Sequence, residues 1–358
     1  MNSPIRLAIN GYGRVGRCFL RALHESPLKN RFQIVAINEP ADLDTMAYLT
    51  RFDSTHGVFS GVVEQGLNCL KVNGQTIKVS HSRTPEGVDW KGLGIDILIE
   101  CSGQFGSRGE LTRFLEAGCP RVLLSQPGHS GQDVDLTVVY GVNHELLSGD
   151  EGLVSNASCT TNAIVPTLDL LHRTFGIEHA FLTTLHSVMN DQPMIDGYHH
   201  SDLRRTRSAM QSIIPVSTGL AQGVERLLPE LRDKVVAKAI RVPTLNVSAI
   251  DLMVELKHDV TVAMINTLMI SAARQYTGLI AYSDNPHASV DFNHNSHSAI
   301  IDGSQTRING RRLANLLVWF DNEWGFANRM LDVAAFWADK MAADNGRVAV
   351  SARAGAAR

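Results

Sequence analysis

The sequence predicts a two-domain α/β protein, with a doubly wound, mostly parallel sheet first and an α+β domain with a mostly antiparallel sheet second. Three observations lead to this fold class. The chain has 358 residues, more than one hydrophobic core usually holds. Its first part alternates buried strands with a helix, and after about residue 157 the strands become longer and alternate in polarity. We therefore expect domains at 1–157 and 158–325.

The first domain opens with a β-turn-α-β pattern. Residues 5–10 and 33–40 are apolar and β-prone, and a glycine-rich turn and an amphipathic helix lie between them. A right-handed crossover makes two such strands parallel. Four more apolar runs predict further strands of this domain, at 71–80, 96–103, 121–128 and 136–143.

The second domain starts with a predicted helix at about 159–174, which we expect to kink at Pro166. Alternating runs that follow are typical of an antiparallel sheet with one wet face. The polar segment 189–216 lacks periodicity, and a loop of that length in a compact domain is usually functional. The predicted strands are 179–188, 237–257, 298–308 and 312–320.

The last helical pattern covers 326–344. Its apolar residues recur with helical spacing, so this helix should dock through one face. The tail at 345–358 has no such face, and we expect it to be disordered. The face consists of Phe326, Met330, Val333, Trp337 and Met341.

Composition narrows the class of function. A net charge of −3 gives no bulk attraction to nucleic acid or to an anionic membrane. There is no signal-peptide pattern and no apolar run of ~18 residues. The 5 cysteines form no CxxC pair, which favours a reducing compartment, and we expect a cytoplasmic protein. The 14 histidines form no zinc-binding pattern, so no metal is expected.

A glycine motif predicts a nucleotide site. Gly11, Gly13 and Gly16 fit G-x-G-x-x-G between a strand and a helix, and Glu39 ends the next strand. In this dinucleotide-binding, Rossmann-type context Gly11 permits the turn and Gly13 admits the pyrophosphate. Gly16 lets the helix approach the sheet closely.

The surrounding groups indicate which nucleotide binds. Amides of Arg14 and Val15 at the helix start can meet the phosphates. A carboxylate at Glu39 can accept from both ribose hydroxyls and would repel a 2′-phosphate, which favours NAD over NADP. A domain that binds the nucleotide without catalysis is an alternative interpretation, as is a motif that serves only the turn.

Cys159 is a candidate nucleophile. It would lie on the first turn of its helix with Ser158 as the N-cap, where a thiolate is favoured. His186 ends a returning strand and could pair with it as an imidazolium. The competing interpretation is that Cys159 is a small core residue and His186 an ordinary strand-end histidine.

Arginines predict an anion site. Residues 203–207 carry three arginines within the long loop, and Arg241 lies in an apolar strand, where it needs a partner. Arginine forks and the hydroxyls of Thr160 and Thr218 suit phosphate. A solvated charge run or a subunit contact is the alternative for the loop arginines.

Six motifs in order resemble the glyceraldehyde-3-phosphate dehydrogenase superfamily, over about residues 5–335. The resemblance implies that Cys159 is the nucleophile and His186 its base. It also implies a homotetramer, and a C-terminal helix that packs on the NAD-binding domain. The motifs are INGYGRVGR, SNASCTTN, TTLHSVMNDQ, DLRRTRSAMQSIIPVSTG, RVPTLNVSAIDL and WFDNEWGFANRM.

The same resemblance assigns ligand-binding residues. Those implied to contact the cofactor, besides the glycine motif and Glu39, are Arg83, Ser125 and Asn322. Those implied to hold two anions of a sugar phosphate site are Ser158, Thr160, Arg205, Thr218 and Gly219 for one pocket and Asp191 and Arg241 for the other.

Two departures indicate a branch within the family. Met189 stands where the triose-phosphate enzymes usually have threonine, and Phe326 where they usually have tyrosine. The chain is similar here to erythrose-4-phosphate dehydrogenases, which also usually have Glu39. This resemblance implies NAD-dependent oxidation of D-erythrose 4-phosphate to 4-phosphoerythronate for pyridoxal phosphate (pyridoxine) biosynthesis, with water hydrolysing a Cys thioester. Alternatives are a phosphorylating glyceraldehyde-3-phosphate dehydrogenase and a non-catalytic NAD-binding or redox-sensing regulator.

Overall fold

A computed structural model describes residues 3–355, with side chains through residue 342. The chain divides into two compact units. The first consists of Met1–Ala157 together with Ala327–Arg358, and the second of Ser158–Phe326. The α/β fold class is confirmed, because one unit has a mostly parallel sheet and the other a mostly antiparallel one.

The first unit is built on eleven strands and four helices before the C-terminal helix. The helices are α1 (Arg14–Glu25), α2 (Leu43–Arg51), α3 (Trp90–Leu93) and α4 (Arg108–Glu116). The strands are β1 (Ile5–Asn10), β2 (Phe32–Asn38), β3 (Phe52–Asp53), β4 (Gly57–Val58), β5 (Val63–Gly66), β6 (Cys69–Val72), β7 (Gln75–Ser80), β8 (Ile97–Glu100), β9 (Val122–Leu124), β10 (Leu136–Thr137) and β11 (Leu153–Ser155).

Nine of these strands form one sheet in the order β10-β11-β9-β8-β1-β2-β7-β6-β5. Pairing is parallel from β10 to β7 and antiparallel between β7, β6 and β5. Chain order reverses at β1, which has β2 on one side and β8 on the other. Such a reversal opens a crevice at the carboxyl ends of the strands, where ligands of doubly wound sheets bind.

Two predicted strands of this unit differ from the structure. Residues 71–80 form a hairpin because Asn73 and Gly74 both have positive φ, of 51° and 79°, and such a pair makes a tight two-residue turn. The strand predicted at 136–143 ends at Thr137. The Asn143 side chain donates to the Thr137 carbonyl at 2.8 Å, and this bond closes a turn instead.

The C-terminal helix α8 (Trp324–Gly355) belongs to the first unit from Ala327 onward. Within this unit, Arg31 donates to the Ala335 carbonyl at 2.7 Å, and the rings of His144 and Phe336 lie 4.8 Å apart. All five residues of the predicted apolar face are buried. The predicted disorder of 345–358 differs from the structure, where the helical backbone continues to Gly355. Alanine and arginine favour helix in this proline-free stretch, and 356–358 lie outside the described residues.

The second unit contains seven strands and three helices of its own. The sheet order is β13-β14-β12-β15-β18-β17-β16. Four of its six pairings are antiparallel. The strands are β12 (Ile177–His186), β13 (Ile214–Val216), β14 (Val235–Arg241), β15 (Ser248–Leu256), β16 (Ile280–Ser283), β17 (Ala299–Asn309) and β18 (Leu313–Phe320), and the helices α5 (Cys159–Phe175), α6 (Leu220–Leu227) and α7 (Val262–Gln275).

One sequence expectation changes in this unit. The run predicted as one strand at 237–257 is two strands, β14 and β15, and the connection ends at Val247 with a φ of 63°. A β-branched residue in this left-handed region marks a tight chain reversal. Helix α5 runs through Pro166 without interruption.

No helix among residues 3–355 is long and apolar enough to cross a membrane.

Candidate active site

A cavity of about 390 Å³ opens in the first unit where β1, β2 and β8 end. Four of the residues predicted to bind the cofactor line it: Gly11, Gly13, Glu39 and Arg83. Sequence reasoning missed the other lining residues. Several of them lie at the carboxyl end of a predicted strand, which is the signal that could have found them. The missed residues are Asn10, Asn38, Pro40, Ser82, Thr84, Pro85, Cys101, Ser102, Gln104 and Phe105.

Glycine stands at each of the three motif positions for a different geometric reason. Gly11 has a φ of +86°, and a Cβ there would lie 2.4 Å from the Cα of Ser102. A Cβ at Gly16 would lie 2.3 Å from the carbonyl oxygen of Gly11. Around Gly13, by contrast, no atom of the described chain lies within 4 Å of such a Cβ. Gly11 and Gly16 are thus required by the backbone, whereas Gly13 leaves open space at the start of α1, where a pyrophosphate could approach.

Glu39 is held in place by backbone donors. Its carboxylate accepts from the Tyr12 amide at 2.6 Å and from the Ala41 amide at 3.2 Å. Both bonds orient the carboxylate at the edge of the cavity, and each oxygen keeps a lone pair for a hydroxyl. A ribose with both hydroxyls free fits this donor set, whereas a phosphate would meet a like charge.

Three further predicted cofactor residues lie around the cavity without lining it. Arg14 and Val15 form the first turn of α1, where amides lack intrahelical acceptors. Arg14 also forms an ion pair with Asp53 at 2.5 Å. Burial would raise the pKa of Asp53, but the His56 amide and Arg14 outweigh it and lower the pKa to about 2. Ser125 follows β9, and its amide donates to the Glu100 carbonyl at 2.9 Å.

A buried polar chain lies beneath the cavity at the ends of β1, β2 and β8. Asn10 donates to the Glu100 carboxyl at 2.5 Å, and Asn38 donates to Asn10 at 2.7 Å. Asn38 also accepts from the Ser82 amide at 2.9 Å, and Glu100 from the Ser102 amide at 2.7 Å. Glu100 is 1% exposed. Burial raises its pKa to about 7, against the opposing effect of the bonds from Ser102 and Asn10.

In the second unit, Cys159 is the first residue of α5. Ser158 caps this helix by accepting from the Thr161 amide at 3.1 Å, as predicted from the sequence. Ala157, just before the cap, has a φ of 56°. A non-glycine residue in this conformation is strained by about 1 kcal/mol, and such strain is typical of functional sites.

The structure brings Cys159 and His186 together. Cys159 Sγ lies 3.7 Å from His186 Nε2, and His186 Nδ1 donates to the Ser187 carbonyl at 2.8 Å. With its proton on Nδ1, a neutral imidazole offers the lone pair of Nε2 to the thiol. The His186 ring is therefore oriented to accept the proton of Cys159.

The charge state of this pair depends on both groups. Burial raises the pKa of the Cys159 thiol to about 11, although the Thr160 amide opposes it. Burial also lowers the pKa of His186, against the opposing bond to Ser187. A lone Cys159 thiolate and a lone His186 imidazolium are thus both disfavoured. The thiolate–imidazolium pair expected from the sequence requires both charges at once, because each charge stabilises the other.

Arginines lie beside this pair. Strands β12 and β14 are parallel neighbours, and His186 pairs in register with Arg241. Arg241 donates two hydrogen bonds to Asp191, one of them 3.3 Å long, and Arg205 donates to the same carboxylate at 2.8 Å. Burial would raise the pKa of Asp191, but the bond from Arg241 lowers it. Arg205 and Arg241, assigned to different anion pockets from the sequence, thus share one carboxylate.

The remaining predicted anion ligands lie at two helix starts. Thr160 is on the first turn of α5, and Gly219 is the N-cap of α6, with Thr218 just before it. Helix α6 packs on α5 so closely that a Cβ at Gly223 would lie 3.2 Å from the Thr161 hydroxyl. Each helix start has first-turn amides without intrahelical acceptors, and such amides suit an anion.

Asn322 follows β18 in the same unit. Its side-chain oxygen accepts from the Ser187 hydroxyl at 3.0 Å and from the Ser248 hydroxyl at 2.8 Å. Sequence reasoning did not find these two serines. Met189, three residues after His186, is 49% exposed.

Family models match both units. Residues 5–108 match the glyceraldehyde 3-phosphate dehydrogenase NAD-binding domain, and residues 158–322 match its C-terminal domain. Together the two matches cover most of the chain. The chain belongs to the glyceraldehyde 3-phosphate dehydrogenase superfamily.

Membership in this superfamily establishes the general chemistry. NAD is the cofactor, and the cavity lined by Gly11, Gly13 and Glu39 fits its pyrophosphate and ribose. The protein is an NAD-dependent dehydrogenase that acts on a sugar phosphate.

Proposed function

We propose that the protein oxidises D-erythrose 4-phosphate to 4-phosphoerythronate, with NAD as the oxidant and water as the acyl acceptor. The observation that carries this choice is Met189. Its side chain follows His186 in the segment that leads to Asp191, and it is exposed and offers no hydroxyl. A phosphorylating enzyme must hold inorganic phosphate near the thioester, and a thioether has no hydrogen to donate to a phosphate oxygen.

The first step is addition of Cys159 to the aldehyde. His186 Nε2 accepts the thiol proton while Sγ bonds to the carbonyl carbon. The carbonyl oxygen gains the electron pair, and amides at the start of α5 are the nearest donors to stabilise it. Return of the proton from His186 to this oxygen gives a neutral hemithioacetal.

The second step is oxidation of the hemithioacetal. Bound NAD supplies the hydride acceptor. His186 accepts the hydroxyl proton as the carbon–oxygen double bond forms, which leaves a thioester on Cys159. The bond from His186 Nδ1 to the Ser187 carbonyl helps stabilise the imidazolium that results.

The last step is hydrolysis. His186, once it has lost its proton, acts as a general base toward a water molecule that attacks the thioester carbon. The carbon–sulfur bond breaks, Cys159 recovers a proton, and the acid leaves.

Arg205 and Arg241 would hold the substrate's phosphate, and their shared partner Asp191 limits the net positive charge there.

The experiment compares two aldehydes, D-erythrose 4-phosphate and D-glyceraldehyde 3-phosphate, with and without inorganic phosphate. We expect faster NADH formation from the four-carbon substrate and an initial rate independent of phosphate. Met189→Thr should introduce phosphate dependence. Cys159→Ala should abolish turnover but retain NAD binding, and substantial activity in that variant would refute the nucleophile assignment.

A phosphorylating glyceraldehyde-3-phosphate dehydrogenase is the second candidate, since both family models carry that enzyme's name. A phosphate-dependent rate with the three-carbon aldehyde would establish it instead. NADH formation from either aldehyde would argue against a non-catalytic regulator. The homotetramer and the cytoplasmic location stay predictions.

A further inference from the structure

One end of each of three neighbouring strands of the second unit lies beside Asn322. Ser187 follows β12, Ser248 begins β15, and Asn322 follows β18 by two residues. These strands are adjacent in the sheet, and Ser248 pairs in register with Phe320. Both serines are buried, with exposures of 0% and 1%. The two hydroxyls are therefore fixed by the sheet rather than by a mobile loop.

The hydrogen bonds between these residues have a direction. The Ser187 amide donates to the Ser248 hydroxyl oxygen at 3.1 Å, so Ser248 can direct its own hydrogen at Asn322. The Ser187 hydroxyl also donates to Asn322, at 3.0 Å. Two hydroxyl donors thus face one end of the Asn322 amide, the end that carries the oxygen.

This arrangement leaves the Asn322 Nδ2 group as the available end of the amide. No residue in the described part of the chain accepts a hydrogen bond from it, and the Asn322 side chain is only partly buried. An amide held this way presents hydrogen-bond donors and would repel a second donor. Its ligand must therefore offer a hydrogen-bond acceptor, and a carbonyl oxygen suits this position.

We propose that Ser187 and Ser248 are positioning residues for the cofactor. They hold the Asn322 amide so that Nδ2 faces the carboxamide oxygen of the nicotinamide, and this rests on the cofactor contact that the family resemblance implies for Asn322. Ser187 also accepts from His186 through its carbonyl, at 2.8 Å. One residue thus orients both the general base and the group that holds the nicotinamide.

Without the serine hydroxyls the amide could rotate by half a turn. The Asn322 oxygen would then face the carboxamide oxygen, and one hydrogen bond would be lost. A neutral hydrogen bond of this kind changes affinity by about 2- to 10-fold. Only binding of the nicotinamide should be affected, because the adenosine and pyrophosphate parts do not need this amide.

The test measures the dissociation constants of NAD and of ADP-ribose, which lacks the nicotinamide, by calorimetry on the full chain. The variants are Asn322→Ala, Ser187→Ala and Ser248→Ala, and each serine change combined with Asn322→Ala. Ser298→Ala is the matched control, because Ser298 is also buried in this unit but its hydroxyl has no partner within the described residues.

We expect the preference for NAD over ADP-ribose to fall about 2- to 10-fold in each serine variant, and no further when Asn322→Ala is added. ADP-ribose affinity should stay unchanged throughout, and the Ser298 variant should match the wild type. A preference that falls in Asn322→Ala but not in either serine variant would overturn the positioning role alone. An unchanged preference in Asn322→Ala overturns it too, and also removes Asn322 from the residues predicted to contact the cofactor, without affecting the proposed role of Cys159.

Discussion

Arg241 donates two hydrogen bonds to Asp191, and its own side chain is almost fully buried. Removing the carboxylate would leave a buried guanidinium without its partner. For Asp191→Asn we expect the free energy of unfolding to fall by about 1–2 kcal/mol at neutral pH. This is less than for a fully buried ion pair, because Asp191 is 36% exposed and solvent screens it.

The pH dependence of this effect has a definite sign. The pKa of Asp191 is lowered below its ordinary value of 3.8, so its stabilisation is present above that pH and lost as the pH falls. Urea denaturation at pH 7 and pH 3.5 should show the difference between variant and wild type shrinking at low pH. Asp259→Asn removes an exposed ion pair with Arg311 and serves as the control. An equal loss in both variants would contradict the prediction.

The contact between Cys159 and His186 predicts how the thiol titrates. Burial, opposed by the Thr160 amide, raises the pKa of Cys159 to about 11, and an imidazolium at Nε2 would lower it. In His186→Asn, alkylation by iodoacetamide should therefore rise with a midpoint near pH 11, and in the wild type at a clearly lower pH. Cys159→Ser reports the background from the other four cysteines. Identical midpoints would show that His186 does not stabilise the thiolate.

The glycine motif predicts two variants with opposite outcomes. Gly16→Ala forces a methyl to 2.3 Å from a backbone oxygen and should destabilise the protein strongly. Gly13→Ala meets no atom within 4 Å and has an ordinary φ of −73°, so the melting temperature should not fall. Its methyl instead occupies the space of the pyrophosphate, and NAD affinity should drop by about 1–3 kcal/mol. Wild-type NAD affinity in Gly13→Ala would contradict this placement of the cofactor.

Glu100 predicts a second pH effect, opposite in sign to that of Asp191. Its folded pKa of about 7 exceeds the ordinary 4.5. Burial of Glu100 therefore costs no stability below pH 4.5, where the carboxyl is protonated in both states, and costs the full penalty for a buried carboxylate above pH 7. The unfolding free energy of the wild type, relative to Glu100→Gln, should fall across this range by up to about 3 kcal/mol. Denaturation at pH 5 and pH 8 measures the difference, and a constant gap between the two proteins would rule it out.

Local patterns predicted much of the fold. The burial of β1 and β2 and the glycine turn between them were readable because the apolar periodicity and the turn chemistry agree. The hairpin at Asn73 and Gly74 was missed, although this pair favours a two-residue turn, because the run around it was interpreted as one strand. Helices α2, α3, α4, α6 and α7 were not predicted.

The site was predictable where one residue type implies one chemistry. Cys159 at a helix start and His186 at a strand end met as expected, because a strand returning after a helix can end beside the start of that helix. Contacts set by sheet order were not predictable. That Arg205 and Arg241 share Asp191, and that Ser187 and Ser248 share Asn322, depends on which strands and loops become neighbours.

The bonds that hold Glu39 also bear on cofactor engineering. If a small neutral residue replaced this carboxylate, the amides of Tyr12 and Ala41 would lose their acceptor. Two backbone donors would then face the position next to the adenosine ribose, where NADP carries its extra phosphate. The two turns that carry these amides would then offer part of a site for that phosphate, and we expect such a replacement of Glu39 to shift the preference from NAD toward NADP.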